Sequence, residues 1–99
     1  MKLRFSPGAE ESIDAADRWW IENRRAAPTL FEDELGLALQ LIEDHPLAGA
    51  RVEEPDSRFE NVRRVVLGAT RFLLYYRVGR ETVEVLLVHQ SNRGVLPRL

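Results

Sequence analysis

The spacing of apolar residues changes period once along this chain, near residue 60. Ala9, Ile13, Ala16 and Trp20 recur at intervals of four, three and four, and Phe31, Leu35, Ala38 and Ile42 repeat those intervals. Each set makes one face of an α-helix. Beyond residue 61 apolar residues alternate instead, the two-residue period of a half-buried strand. Two helical periods followed by strand periods predict helices laid against a sheet, an α+β arrangement.

Punctuation sets the boundaries. Lys2-Leu3-Arg4-Phe5 alternates and predicts a short N-terminal strand. Ser6 caps and Pro7 opens a first helix over residues 7–24, with Glu10, Glu11, Asp14 and Asp17 crowding the positive end of its dipole. Pro28 opens a second helix over 28–44, and the residue before Pro46 ends it. Near-equal lengths and a short connector predict an antiparallel α-helical hairpin. Leu47 to Arg58, with Gly49, Pro55, Asp56 and Ser57, reads as loop. Three strands follow, Asn61–Leu67, Thr70–Val78 and Thr82–His89, joined at Gly68 and Gly79 into an antiparallel meander.

Strict alternation assigns the faces. On the middle strand Phe72, Leu74, Tyr76 and Val78 point to the helices, while Arg71, Leu73, Tyr75 and Arg77 point away. On the last strand Val83, Val85 and Leu87 oppose Glu84, Leu86 and Val88. Both faces of that strand are apolar, so its outer side should be covered. Leu30, Leu37 and Leu41 make a second stripe on the second helix, which needs cover from the fold or from a partner.

The 99 residues suit one domain spanning 1–99. Without cysteine there is neither a disulfide nor a thiolate metal site. No stretch is apolar enough for a membrane span or a signal-peptide core, so a cytoplasmic protein is expected. Charge is divided unevenly. Residues 1–61 carry seven Lys/Arg against fourteen Asp/Glu, and residues 62–99 carry seven Arg against two Glu. The net charge of -2 therefore hides an acidic front and a cationic back. All seven back-half cations are Arg, whose planar guanidinium suits bidentate recognition of carboxylate or phosphate.

Arg63, Arg64, Arg71, Tyr75, Arg77, His89 and Arg93 are the residues on which chemistry or anion binding would rest. Arg side chains on adjacent strands, about 4.8 Å apart, can converge on one anionic group if they share a face. Whether Arg63 or Arg64 shares a face with Arg71 depends on strand register. His89 is the candidate general acid or base among them. Glu32-Asp33-Glu34 and Glu53-Glu54 lack histidine at ligand spacing, so neither metal nor cofactor is expected.

The order of these pieces resembles the RelE/ParE superfamily of bacterial type II toxins, and its ParE branch in particular. The resemblance rests on Ser6-Pro7-x-Ala9, on His45-Pro46-x-x-Gly49 and on Val62-Arg63-Arg64. It continues through the run from Phe72 to Val78, the run from Val83 to His89, and Arg93. It implies a toxin that binds and inhibits DNA gyrase, with Arg63, Arg64, Arg71, Tyr75, Arg77 and Arg93 facing the target. The RelE-like alternative is a ribosome-dependent mRNA endoribonuclease acting through Arg64, Arg71, Tyr75, Arg77, His89 and Arg93. Ribosome-directed proteins are usually strongly basic, and a pI of about 5.7 favours the gyrase reading. The chain departs from the family pattern after its last strand. His89-Gln90-Ser91-Asn92-Arg93 offers a single Arg where consecutive basic residues are common.

The resemblance also implies a cognate antitoxin of the DNA-binding type, held as a hetero-oligomer. A largely helical segment of it would cover Trp19, Leu30, Leu37, Leu41, Leu73, Leu86 and Val88, with acidic residues meeting the Arg set.

Overall fold

The computed structural model describes residues 1–90 and 96–99. A strand β1 (Lys2–Phe5) leads into helices α1 (Pro7–Asn23) and α2 (Leu30–Asp44). A two-residue strand β2 (Ala50–Arg51) and a 3-10 turn at Ser57–Phe59 come next, followed by β3 (Val62–Leu67), β4 (Phe72–Val78) and β5 (Thr82–Gln90). The strands form one sheet in the order β1-β5-β4-β3-β2. β1 runs parallel to β5 while every other pair is antiparallel, so the meander sits inside a mixed sheet.

Ser6 caps α1 as its sequence suggests: its hydroxyl oxygen accepts the Ala9 N–H at 3.0 Å. α2 begins two residues later than Pro28 implies, because Thr29 takes the cap position. β3 and β4 also start late, and for one reason. Asn61 (φ 60) and Arg71 (φ 68) both adopt left-handed backbone, which breaks the extended run just before Val62 and Phe72.

The main core lies between helices and sheet. Ala9, Ala16 and Trp20 of α1 and Phe31, Leu35, Ala38 and Ile42 of α2 meet Leu67, Phe72, Leu74, Tyr76, Val83, Val85 and Val88. Both helical stripes and the inward face of β4 thus fall where their periods place them. Each helix rests chiefly on the sheet, α1 on β5 and α2 on β3.

A second, smaller cluster lies on the other side. Phe59, Val62 and Tyr75 are buried there with Val52, Leu73, Leu86, Leu87 and Leu99 against them. The chain covers its own outer face with the loop after β2 and with its last described residues. Leu73 and Leu86, expected under an antitoxin, are thus already half-buried by the chain itself.

Strict alternation does not survive in β5. Tyr75 pairs with Leu87 but Tyr76 pairs with Val85, leaving Leu86 as an extra residue in a β-bulge. Val88 consequently turns into the main core at 6% exposure and faces the helices, not a partner. Leu87 moves to the outer side.

Candidate target-binding face

Register decides which cations share a surface. Arg64 lies opposite Tyr75, Val62 opposite Arg77, and Leu73 opposite His89. Arg64, Tyr75, Arg77 and His89 therefore occupy the outer face of the sheet. Arg63 pairs with Tyr76 and turns to the other side. Its guanidinium donates to the Gly49 carbonyl at 2.8 Å and the Leu47 carbonyl at 3.2 Å, tying the end of α2 to the sheet. Arg71 stands exposed in the β3–β4 turn, before the strand begins. Arg93 lies outside the described residues.

Tyr75 is wholly buried at 0% exposure, beneath Phe59 and the segments beside it. His89 meets its ring edge-on, with centroids 6.5 Å apart. Among the described residues, Tyr75 Oη, His89 Nε2 and Arg77 Nε are buried without a hydrogen-bond partner. Three such atoms on one face are unusual, since buried polar groups are nearly always paired. Arg77 uses its other end, donating from Nη2 to the Arg58 carbonyl at 2.8 Å.

The cover over Tyr75 is itself braced electrostatically. Asp56 accepts the Arg58 N–H at 2.9 Å and receives the Arg58 guanidinium, closing the 3-10 turn that delivers Phe59. The Arg58 side chain, followed by its N–H, holds the Asp56 carboxyl down to about 2. Sequence reasoning overlooked this turn and two further cations. Arg98 shares a cavity of about 260 Å³ with Arg77, Leu86 and Ser6. Arg51, opposite Arg63 in register, borders a depression of about 320 Å³ with Arg64, Glu53 and Glu54. The signal for Phe59 was its isolation as the one large apolar side chain between Pro55 and Asn61.

Tyr76, on the inner face, anchors the chain after α2. Its hydroxyl donates to the Pro46 carbonyl and accepts the Gly49 N–H, each at 2.8 Å. Burial pushes its phenol above the ordinary value, against the Gly49 bond and the Arg63 charge. Among the described residues, no group of three or more His, Cys, Asp or Glu is placed to hold a metal, and no helix is long and apolar enough to cross a membrane.

The family model for the ParE toxin of the type II toxin–antitoxin system parDE matches residues 3–93. The chain belongs to that family. Among solved structures, a protein of the chromosomal ParDE TA system from P. aeruginosa has 18% identity and a TM-score of 0.73. That alignment covers 93% of this chain and 97% of the other. A YoeB/ParE toxin from Agrobacterium tumefaciens has 17% identity and a TM-score of 0.60, covering 91% and 98%. A comparison with curated protein sequences gives no match.

The apolar residues of this ParE-family chain expected to contact an antitoxin differ widely in exposure. Leu37 and Leu41 stand open on α2 at 73% and 41% exposure, and Leu47 just beyond the helix is exposed too. Trp19 is half-buried, edge-on to Phe72, with the Arg24 guanidinium 5.4 Å from its ring. Leu30 is half-buried against the main core, and Leu73 and Leu86 are half-buried in the outer cluster. In this ParE-family fold Leu37 is the most exposed of these, Ile21 on α1 and Val66 on β3 are open as well, and the apolar residues of β5 are buried or half-buried.

Proposed function

We propose that this ParE-family toxin inhibits DNA gyrase in the cytoplasm by binding it through the face that carries Arg64, Arg77 and the neighbouring Arg58 and Arg98. A cognate antitoxin, helical where it contacts the toxin, neutralises it in a hetero-oligomer by seating on Leu37 and Leu41. The observation that carries the binding mode is the complete burial of Tyr75. Phosphodiester cleavage needs an acid and a base that reach the substrate. Here the phenol beside His89 lies under Phe59, whereas Arg64 is open to a partner. Exposed guanidinium without an exposed acid–base pair suits recognition of an anionic surface.

Supercoiling by purified gyrase tests the reading. Micromolar toxin should block it, and antitoxin should restore it. Full supercoiling at that concentration would remove the proposal.

One observation favours the RelE-like reading, namely the adjacency of Tyr75 and His89 with their polar atoms unpartnered. Primer extension on translated mRNA after induction separates the two. Codon-positioned cuts would establish the nuclease, and their absence would leave gyrase binding.

A further inference from the structure

β1 accompanies β5 only from Thr82 to Val85, because the chain leaves the sheet at Phe5 to enter α1. Past Val85, among the described residues, that edge of β5 has no strand beside it. Two serine hydroxyls, one from the residue that caps α1 and one from the helix itself, take the strand's place. The Ser6 N–H donates to the Val85 carbonyl and the Ser6 hydroxyl to the Leu86 carbonyl, both at 3.0 Å. The Val88 N–H donates to Ser12 Oγ at 3.0 Å, while the Ser12 hydroxyl donates to the Ala9 carbonyl. The bonded carbonyl of Leu86 and amide of Val88 bracket the bulge.

Without the bulge, alternation would send His89 inward with Val83, Val85 and Leu87, and Val88 outward. With it, Val88 enters the core while Leu87 and His89 join Tyr75 outside. Bulges re-aim side chains in this way. We infer that Ser6 and Ser12 are positioning residues: their hydroxyls hold the Leu86 bulge, and the bulge carries His89 and Leu87 onto the target-binding face. The functional meaning of that placement rests on the gyrase reading; the placement itself does not.

The two serines can be separated from their other duties. Ser6→Asp keeps a side-chain oxygen for the Ala9 N–H, so α1 stays capped, but an ionised carboxylate has no proton for the Leu86 carbonyl. Ser12→Ala removes the acceptor for the Val88 N–H. Threonine at either position retains the hydroxyl.

The test is NMR on the isotope-labelled full chain. In S6D/S12A, the nuclear Overhauser cross-peaks between the His89 and Tyr75 rings should disappear and the Val88 amide should exchange faster with solvent. The Ser→Thr variants should keep both signals. Wild-type cross-peak intensity in a folded S6D/S12A chain overturns the inference. If the double variant does not fold, S12A alone is read by the same two signals.

Supercoiling inhibition then separates this inference from the functional reading. Lost cross-peaks with inhibition weakened roughly fivefold or more support both. Lost cross-peaks with unchanged inhibition uphold the positioning role and remove the outer face as the gyrase contact.

Discussion

Glu34 on α2 grips Thr70 in the β3–β4 turn: one carboxylate oxygen accepts the Thr70 N–H at 3.0 Å and its hydroxyl at 2.7 Å. The other oxygen accepts the Ala69 N–H at 2.8 Å. Within the turn the left-handed Arg71 donates its N–H to the Leu67 carbonyl at 2.8 Å, while the Ala69 and Thr70 amides find their acceptor in Glu34. Thr70 is only 4% exposed and would be left with unpaired donors if Glu34 were truncated. Glu34→Ala should therefore cost about 2 kcal/mol and lower Tm by roughly 10 °C. Thermal unfolding followed by circular dichroism measures it.

The same carboxylate predicts a pH dependence. Burial raises the Glu34 pKa, but the bonds from Ala69 and Thr70 outweigh it and leave the group below its model-peptide value of 4.5. A carboxyl with a depressed folded pKa contributes stability above its unfolded pKa, and loses it as pH falls through the folded one. The loss should therefore begin below about pH 4.5. Glu34→Gln cannot titrate, so the acid limb of its stability curve should be shallower than that of the wild type. Urea midpoints between pH 6 and pH 3 would show equal slopes if Glu34 has no part in this.

Adjacent arginines should behave as opposites. Arg63 binds two backbone carbonyls, so Arg63→Ala should cost about 1–2 kcal/mol of stability. Arg64 is exposed on the outer face, so Arg64→Ala should leave stability within about 0.5 kcal/mol. It should weaken gyrase inhibition roughly fivefold or more. Paired melting and supercoiling measurements check both. Equal effects of the two substitutions on inhibition would deny the outer face its special role.

These contrasts also mark what sequence reveals and what it withholds. Both helical stripes are readable because Ala9 to Trp20 and Phe31 to Ile42 satisfy a 3.6-residue period and no other. The inward face of β4 is readable because Phe72, Leu74 and Tyr76 alternate with bulky neighbours. Arg63 and Arg64 are chemically identical, so only pairing with β4 tells which one faces outward. Leu86, Leu87 and Val88 are three apolar residues in succession, and either face accepts any of them. Nothing in their pattern announces a bulge that depends on hydroxyls about 80 residues away. The cover over Tyr75 is hidden for a related reason. Phe59 is a lone apolar residue in a polar loop, and long-range packing rather than local period decides its place.

Leu37 and Leu41 provide the test of the antitoxin surface. Both are exposed, so glutamate at either position should leave the unfolding midpoint nearly unchanged. A charge buried against an apolar partner helix is costly, and antitoxin affinity should fall at least roughly tenfold. Isothermal titration of antitoxin into L37E and L41E reports it. Val88→Ala gives the contrast: its side chain fills the main core, so it should lower stability without directly touching the antitoxin contact. Unaltered affinity in both glutamate variants would place the antitoxin elsewhere.

Gly49 offers the sharpest steric prediction. A Cβ there would stand 2.6 Å from the Tyr76 hydroxyl and 2.8 Å from the Arg64 carbonyl. The first contact belongs to a side chain locked by its bond to Pro46, and the second to the backbone of a central β3 residue. Neither yields cheaply, so Gly49→Ala should cost about 2 kcal/mol or more. Tyr76→Phe removes the hydroxyl but leaves the ring, whose Cε1 lies 2.9 Å from the same point, and the Arg64 carbonyl. The double variant G49A/Y76F should therefore remain less stable than Y76F alone. Denaturant midpoints of the four proteins form a double-mutant cycle. Full rescue of G49A by Y76F would mean that the hydroxyl alone creates the conflict, and that β3 can shift to admit a methyl group.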